Sequence, residues 1–490
     1  MIPLVVVENI QRFPLELPDA EVVTARGYLT ESRYFERRGV TVFNLCRTYG
    51  YETVGYYVSL LAEARGHRPL PSVATLQDLR ISPVVRIASE ELEDLIERNL
   101  AGLRSERFDL SVYFGRNLAK RYDRLSRALF NQFPVPLLRA SFARSASGWE
   151  IRALRAIATG EIPESHRDFV VEQARRYFGR RGHAAVAPQT YRYDLAILTN
   201  PDETDRPSDD AALRRFVRAA ERLSIEASLI GRDDYGCVPE FDALFIRETT
   251  AVDHYTYRFA RRAAAAGLVV VDDPESIVRC SNKVYQAELF ARHGVACPET
   301  LVVHADNRDE VEARLGFPCV LKVADGAFSR GIVKIESAAQ LDEELSRLLA
   351  HAQLLLAQRW VPSDFDWRIG VLDRRPLYAC RYHMARGDWR IATTTRTGHR
   401  RYGRVEALPL EEVPEGVVAL AARAAGLIGD GLYGVDVKEV DGRPLVIEIN
   451  DNPNIDAGYE DAVLGEALYR EIMRHFLTRL EARGVGRESA

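Results

Sequence analysis

The chain has 490 residues, 47% of them hydrophobic and 28% charged, the make-up of a soluble globular protein with room for about two to four domains. A net charge of −5 gives no support for bulk electrostatic attraction to nucleic acid, and no run approaches the ~18 apolar residues of a membrane span. The six cysteines, Cys46, Cys237, Cys280, Cys297, Cys319 and Cys380, show no C-x-x-C spacing, so a zinc site or disulfide framework is not expected and a reducing cytoplasm is.

The N-terminal run Met1-Ile-Pro-Leu-Val-Val-Val is apolar over no more than a strand and lacks a basic leader. Strands are predicted at Leu4–Glu8 and Thr41–Cys46. An amphipathic helix is predicted over Tyr51–Gly66, where Val54, Tyr57, Val58, Leu60, Leu61 and Ala64 recur at helical spacing. Further helices over Ser89–Leu103 and Asn117–Phe130 make residues 1–185 an α/β unit. Between Arg116 and Arg144 the basic residues Arg116, Lys120, Arg121, Arg124, Arg127, Arg139 and Arg144 interleave with Tyr122, Phe130 and Phe133. They form either a solvated helix face or a patch that attracts an acidic substrate.

The pattern breaks after Arg180, and Tyr193–Thr199 opens a new strand, which places a domain boundary there. A helix at Asp209–Leu223, strands at Glu226–Ile230 and Ala243–Arg247, a helix at Asp253–Ala266 and a strand at Leu268–Val271 follow. This order predicts a small, doubly wound parallel sheet over residues 192–275. Arg247 stands at the carboxyl end of its strand, where such sheets hold ligands. It is a candidate to grip a substrate carboxylate, or an arginine in a loop ion pair.

Ser281-Asn282-Lys283 opens a helix to His293, with Ser281 expected as N-cap and Lys283 in the first turn, where a cation opposes the helix dipole. Lys283 therefore reads as placed for an anionic ligand. The strand Phe317–Val323 carries Lys322 among apolar residues and runs into the loop Asp325–Gly331 before the strand Ile332–Glu336. A glycine-rich turn brings backbone N–H groups close to phosphate oxygens, and Lys322 supplies the counter-charge. The apolar strand Leu354–Val361 ends in Gln358, Arg359, Trp360 and Val361, whose backbone and apolar groups suit an adenine edge. Asp366–Leu372 alternates, with Asp366, Arg368 and Gly370 on one face and Trp367, Ile369 and Val371 on the other. Arg381 and Arg390 follow on strand-like segments.

The last feature is a hairpin, Gly434–Asn450. With a three-residue turn Asp441-Gly442-Arg443, Val440 pairs with Pro444 and Asp436 falls opposite Glu448, whereas a two-residue turn throws them to opposite faces. Along the second strand Leu445, Ile447 and Ile449 are expected on one face and Val446, Glu448 and Asn450 on the other. Two facing carboxylates raise each other's pKa unless a cation sits between them, and oxygen donors of this kind suit Mg²⁺ with polyphosphate in its shell.

With these residues in hand, residues 276 to about 480 resemble the ATP-grasp superfamily in its RimK-like branch. The likeness is carried by Ser281-Asn-Lys283, Cys319-Val-Leu-Lys322, the loop Gly326–Gly331, Gln358-Arg-Trp-Val361, Asp366-Trp-Arg368, Gly434-Val-Asp436 and Glu448-Ile-Asn450 with Asn452-Pro453. The resemblance implies an α/β (α+β) fold in which a small doubly wound domain, residues 192–275, precedes a two-lobed ATP-grasp domain, residues 276–485. Residues 1–185 look like the additional N-terminal domain of one RimK-like group. It also implies that Lys283 and Lys322 contact ATP phosphates, that Gly326, Ser329, Arg330 and Gly331 close over them, and that Gln358 to Val361 with Asp366 complete the nucleotide site. Asp436, Glu448 and Asn450 would hold Mg²⁺, two ions in such sites, with Mn²⁺ able to substitute. Arg368, Arg381 and Arg390 would stabilise the transferred phosphoryl group. Relatives usually have glutamate where Arg359 stands.

The expected chemistry is ligation through an acyl phosphate, joining an amino acid such as glutamate to a carboxylate-bearing peptide, protein tail or small metabolite in the cytoplasm. The partners are then an amino acid and that acceptor, with no nucleic acid or membrane, and a homo-oligomer is an open expectation. A ligase making small peptides or amino-acid conjugates, a phosphotransferase and a non-catalytic ATP-binding regulator are the alternatives.

Overall fold

The computed structural model describes residues 3–490 except 36, 38–39, 82–84, 86–88, 90–91, 146–147, 180–190, 325–330, 387, 395–399 and 489–490, and without the side chains of 392–394, 400–402 and 484–488. The chain falls into two compact units: Met1–Arg192 with Asp233–Phe241, and Tyr193–Arg232 with Asp242–Ala490.

In the first unit β1 (Leu4–Val7), β2 (Glu21–Thr24), β3 (Thr41–Asn44) and β4 (Arg68–Leu70) form a parallel sheet in the order β2-β1-β3-β4. The Leu-Val-Val-Val of β1 is buried at every position, as a parallel strand covered on both faces must be. One face packs on Tyr28, Tyr34, Val58 and Ala62. Val5, Val7 and Phe43 of the other share a core with the antiparallel meander β5 (Arg107–Tyr113), β6 (Leu137–Ser145) and β7 (Gly148–Ala156). The first predicted helix is Val54–Ala64. The second is confined to Glu93–Leu100, with residues 90–91 of its predicted range outside the described residues.

The third begins late, at Asp123, after a 3₁₀ turn at Lys120–Tyr122, because the Asp123 carboxylate turns back to accept from the Asn117 amide at 3.2 Å and to pair with Arg116 at 3.2 Å. The basic stretch is divided among separate partners: Arg127 pairs with Asp233, distant in sequence, Arg121 stacks 4.5 Å from Tyr122 and Arg144 lies 5.6 Å from Trp149.

The second unit starts with β8 (Tyr193–Leu198), β9 (Ile225–Ile230), β10 (Ala243–Ile246) and β11 (Val269–Val271), all parallel in the order β11-β10-β8-β9. Asp209 caps the helix Asp210–Glu221 by accepting from the Ala212 amide at 2.7 Å. Next, β12 (Thr300–Val303), β13 (Cys319–Val323), β14 (Ile332–Ile335) and β15 (Leu355–Arg359) form an antiparallel sheet, β12-β15-β13-β14. Val311, Leu315, Leu341 and Leu345 of two helices back it.

A second antiparallel sheet is made from β16 (Phe365–Leu372) and β17 (Arg375–His383), then, past the small pair β18 (Ala392–Thr394) and β19 (Arg400–Tyr402), from β20 (Val405–Leu408), β21 (Leu432–Val440) and β22 (Arg443–Asp451). Its order is β20-β17-β16-β21-β22. Trp367, Ile369, Val371, Val435 and Val437 turn one of its faces to the helix Glu415–Ile428, and the other face carries Asp366, Arg368 and Asp436 beside Tyr378, Cys380 and Tyr382, which join the core of the parallel sheet. The unit is α+β, two antiparallel lobes after a doubly wound parallel sheet, as expected. Among the described residues no helix is long and apolar enough to cross a membrane.

Candidate active site

The hairpin of β21 and β22 closes on Asp441-Gly442, both at positive φ (51° and 72°), the two-residue turn whose twist suits the strands. Val440 therefore pairs with Arg443, which corrects the expected three-residue turn. Such a turn alone would separate the two carboxylates. A bulge restores them: Val437 pairs with Val446 but Asp436 with Glu448, leaving Ile447 as the extra residue. The expected faces of β22 change accordingly. Val446 and Ile449 are buried together in the core, and Ile447 lines a cleft beside Glu448.

That cleft, open to solvent, spans about 680 Å³ and is lined by both antiparallel sheets, with Lys322, Gln358, Trp360 and Val361 on one side and Asp366, Asp436, Lys438 and Glu448 on the other. Each acid in it meets a cation. Arg368 grips Asp436 with two N–H groups, Nη2 donating to Oδ2 at 2.8 Å and Nε to Oδ1. Lys438 approaches Asp366 to 2.7 Å and Lys283 approaches Glu448 to 3.6 Å. A Cβ on Gly434 would stand 2.9 Å from Arg368 Cδ and 2.8 Å from Pro453 Cβ, so glycine is what lets the guanidinium cross to Asp436. The Tyr382 ring, 4.9 Å away, stacks on that guanidinium.

Burial sets the proton affinities. It lifts Asp436 to about 6 against the pull of Arg368, and it raises Asp366 against Lys438. Burial also pushes Glu448 upward, but Lys283, Lys322 and Arg368 outweigh it and hold the carboxyl below its ordinary range. Lys322, 6% exposed, is brought down to about 8. Its Nζ donates to Gln358 Oε1 at 2.8 Å, and Gln358 Nε2 donates to Thr300 Oγ1 at 3.0 Å.

A hard divalent cation fits this donor set. Among the described residues no three His, Cys, Asp or Glu side chains gather for a metal. The candidate ligands are thus two carboxylates and the amide of Asn450, whose Nδ2 lies 3.3 Å from Asp436 Oδ2. So few protein oxygens suit Mg²⁺, which keeps water and phosphate in its shell. Gln286 holds the ligand strand in place. Its amide accepts from the Ile449 N–H and donates to the Ile449 carbonyl, both at 2.8 Å, securing the outer edge of β22 between Glu448 and Asn450.

Several expectations are corrected. Asn282, not Ser281, caps the Lys283 helix, accepting from the Tyr285 amide at 3.0 Å, and Ser281 instead ends the preceding helix Pro274–Ser281. Arg381 stands opposite Trp367, on the sheet face that packs against a helix, and stacks 4.8 Å from that ring, so it does not line the cleft. Arg390 does line it, from a bend and not a strand, with Nη2 donating to Asp388 at 2.8 Å. The Arg359 side chain turns outward to Glu299 at 2.8 Å. Arg247 is 0% exposed and donates to Asn452 Oδ1 and the carbonyls of Pro207 and Pro453, a buried tether that also faces the charge of Asp272. Gly326, Ser329 and Arg330 lie outside the described residues, and Gly331 follows them at φ 73°.

Pro298, Trp389, Ile391 and Lys438 line the cleft but escaped the sequence reading. Lys438 follows Asp436 by two positions on one strand, so alternation alone would have found it. Trp389 precedes Arg390 and meets Trp360 edge-on at 5.1 Å. No periodicity marks it.

Residues 25–173 match the family model of the RimK-like ATPgrasp N-terminal domain, and residues 280–467 that of the RimK-like ATP-grasp domain. Among curated proteins, the chain is similar to the probable alpha-L-glutamate ligase of Parasynechococcus marenigrum (strain WH8102), at 27% identity over 240 residues, 48% of this chain and 49% of the relative. The protein of the same description from Marinomonas sp. (strain MWYL1) is 24% identical over 297 residues, 56% of this chain and 95% of the relative. The chain thus spans about half the length of the first and nearly all of the second. A RimK domain protein ATP-grasp from Sphaerobacter thermophilus DSM 20745 superposes at 18% identity with a TM-score of 0.44, over 58% of this chain and 99% of that one.

Proposed function

This chain is a RimK-like ATP-grasp protein with the N-terminal domain of that family, and on that premise we propose that it is an ADP-forming carboxylate–amine ligase. Residues 1–185 are its additional domain, 192–275 its pre-ATP-grasp domain and 276–485 its catalytic domain. The observation that carries the reading is the meeting of Asp436 and Glu448 with Lys322 in one cleft, acids for a metal and a buried lysine for phosphate.

In this reading Lys283 and Lys322 bind the ATP phosphates, and Gly326, Ser329, Arg330 and Gly331 cover them. Gln358, Arg359 through its backbone, Trp360 and Val361 receive adenine, and Lys438 keeps Asp366 in place at the inner wall. Asp436, Glu448 and Asn450 hold Mg²⁺, as a pair of ions or with Mn²⁺ in its stead. Bound Mg²⁺ supplies charge neutralisation on the phosphate oxygens. Arg368 and Arg390 orient the γ-phosphoryl group while an oxygen of the substrate carboxylate forms a bond to phosphorus and the bond to ADP breaks. The amine then attacks the acyl carbon, phosphate leaves with the carboxylate oxygen, and an amide remains. Catalysis by positioning needs no nucleophilic side chain.

The relatives' names make glutamate the first amine to test. The acceptor is a carboxylate on a small molecule, peptide or protein tail, without nucleic acid or membrane. Six free cysteines favour a cytoplasmic setting. Incubation with MgATP and amino acids, singly and in pairs, checks the proposal: amine-dependent release of ADP and phosphate with a new amide mass is expected, and AMP with pyrophosphate would overturn it.

A further inference from the structure

The charges of the cleft are distributed in a way that ATP-dependent ligation does not by itself require. Three acids line it among the described residues, and each approaches a cation from another segment: Asp366 with Lys438 at 2.7 Å, Asp436 with Arg368 in a two-pronged contact, Glu448 with Lys283 at 3.6 Å. The side chains of the central pair are 12% and 6% exposed, so little water competes with the contact. Lys322 differs, because its hydrogen bond goes to a neutral amide.

A divalent ion approaching Asp436 and Glu448 by itself meets a guanidinium and an ammonium already bound there, and must evict like charges or sit beside them. A polyphosphate approaching Arg368 and Lys283 by itself meets cations engaged with carboxylates, which repel it. Arriving together, the two exchange partners: the carboxylates pass to the metal and the cations to the phosphates, and no buried charge is left unpaired. Resting on the function proposed above, we infer that Arg368 and Lys283 are resident counter-ions of the metal ligands, and that their release onto phosphate couples metal and nucleotide binding. The Tyr382 ring keeps Arg368 within the site during the exchange, since it stacks on the guanidinium independently of Asp436.

This assigns opposite signs to single substitutions. Glu448→Gln removes the carboxylate charge beside Lys283, so binding of the β,γ-imido analogue of ATP in EDTA tightens on the order of tenfold, while its metal-dependent binding weakens. Arg368→Gln relieves Asp436 of its counter-ion, so at alkaline pH, where the carboxyl is ionised without Arg368, binding of Mn²⁺ alone tightens by a similar factor, while the Mn²⁺–analogue complex binds more weakly. Calorimetric titration of the full chain, with thermal melting to confirm folding, reads both. Arg368 is the more buried member, and Glu448→Gln keeps the test available where Arg368→Gln does not fold. Unchanged or weakened binding of the lone ligand in a folded variant overturns the inference and leaves the site reading standing. Failure of the unsubstituted protein to bind the Mn²⁺–analogue complex overturns the site reading, and the inference with it.

Discussion

The two antiparallel sheets that wall the cleft handle charge in opposite ways. The wall from β16, β21 and β22 carries Asp366, Asp436 and Glu448, each beside a cation, and its geometry is set by a bulge. The wall from β13 and β15 carries one buried lysine on an unbulged register, bonded to a neutral amide. An ion-paired wall must exchange partners to work, whereas a lysine on an amide is ready for an anion. Under the function and the exchange proposed above, the first wall sets when ligands bind, and the second sets how tightly phosphate is held.

Substitutions that strike one wall at a time sharpen this division. Glu448→Ala removes a proposed metal ligand and is expected to cut ADP formation by roughly 10³-fold at an unchanged melting temperature, read by coupled ADP assay and calorimetry. Lys322→Met is expected to weaken nucleotide binding by about 10–100-fold through loss of a charge-assisted contact, with metal binding little altered, as titration calorimetry would register.

The pH profile separates the walls without mutation. Asp436, raised to about 6, takes up a proton below that pH and would then no longer ligate the proposed metal; Lys322, lowered to about 8, loses its charge above it. Thus kcat/KM, which reports the free enzyme, falls on both sides of a plateau between about 6 and 8, and Lys322→Arg moves the alkaline limb upward. Gln286→Leu strips the partners from the Ile449 backbone and is expected to cost about 2–4 kcal/mol in urea unfolding, with metal affinity lowered as β22 loosens. Smallest is Trp389→Ala, expected to weaken nucleotide binding about 3–10-fold by opening the edge contact with Trp360.

Much of this was legible in the residues. The alternation of β16 correctly turned Asp366 and Arg368 away from Trp367 and Ile369, because one face of a two-faced sheet must be apolar. The pairing of Asp436 with Glu448 was anticipated through the wrong turn: a two-residue Asp-Gly turn needs the bulge at Ile447, and a bulge comes from packing of Val446 and Ile449 on a helix, which local pattern does not encode. Arg381 was misplaced for a related reason. Only its registry with Trp367 shows which face it takes. Arg247 looked like a ligand residue from its place at a strand end, but the backbone it holds, at Pro207 and Pro453, lies distant in sequence.

The central claim is that a substrate carboxylate, and not water or a side chain, receives the γ-phosphoryl group. It is tested most directly by labelling the acceptor carboxylate with ¹⁸O in whichever amino-acid mixture supports ADP release, and weighing the phosphate set free. The account predicts phosphate that carries one labelled oxygen alongside an amide that has lost it. Unlabelled phosphate, with both labelled oxygens retained on the acceptor, would contradict it.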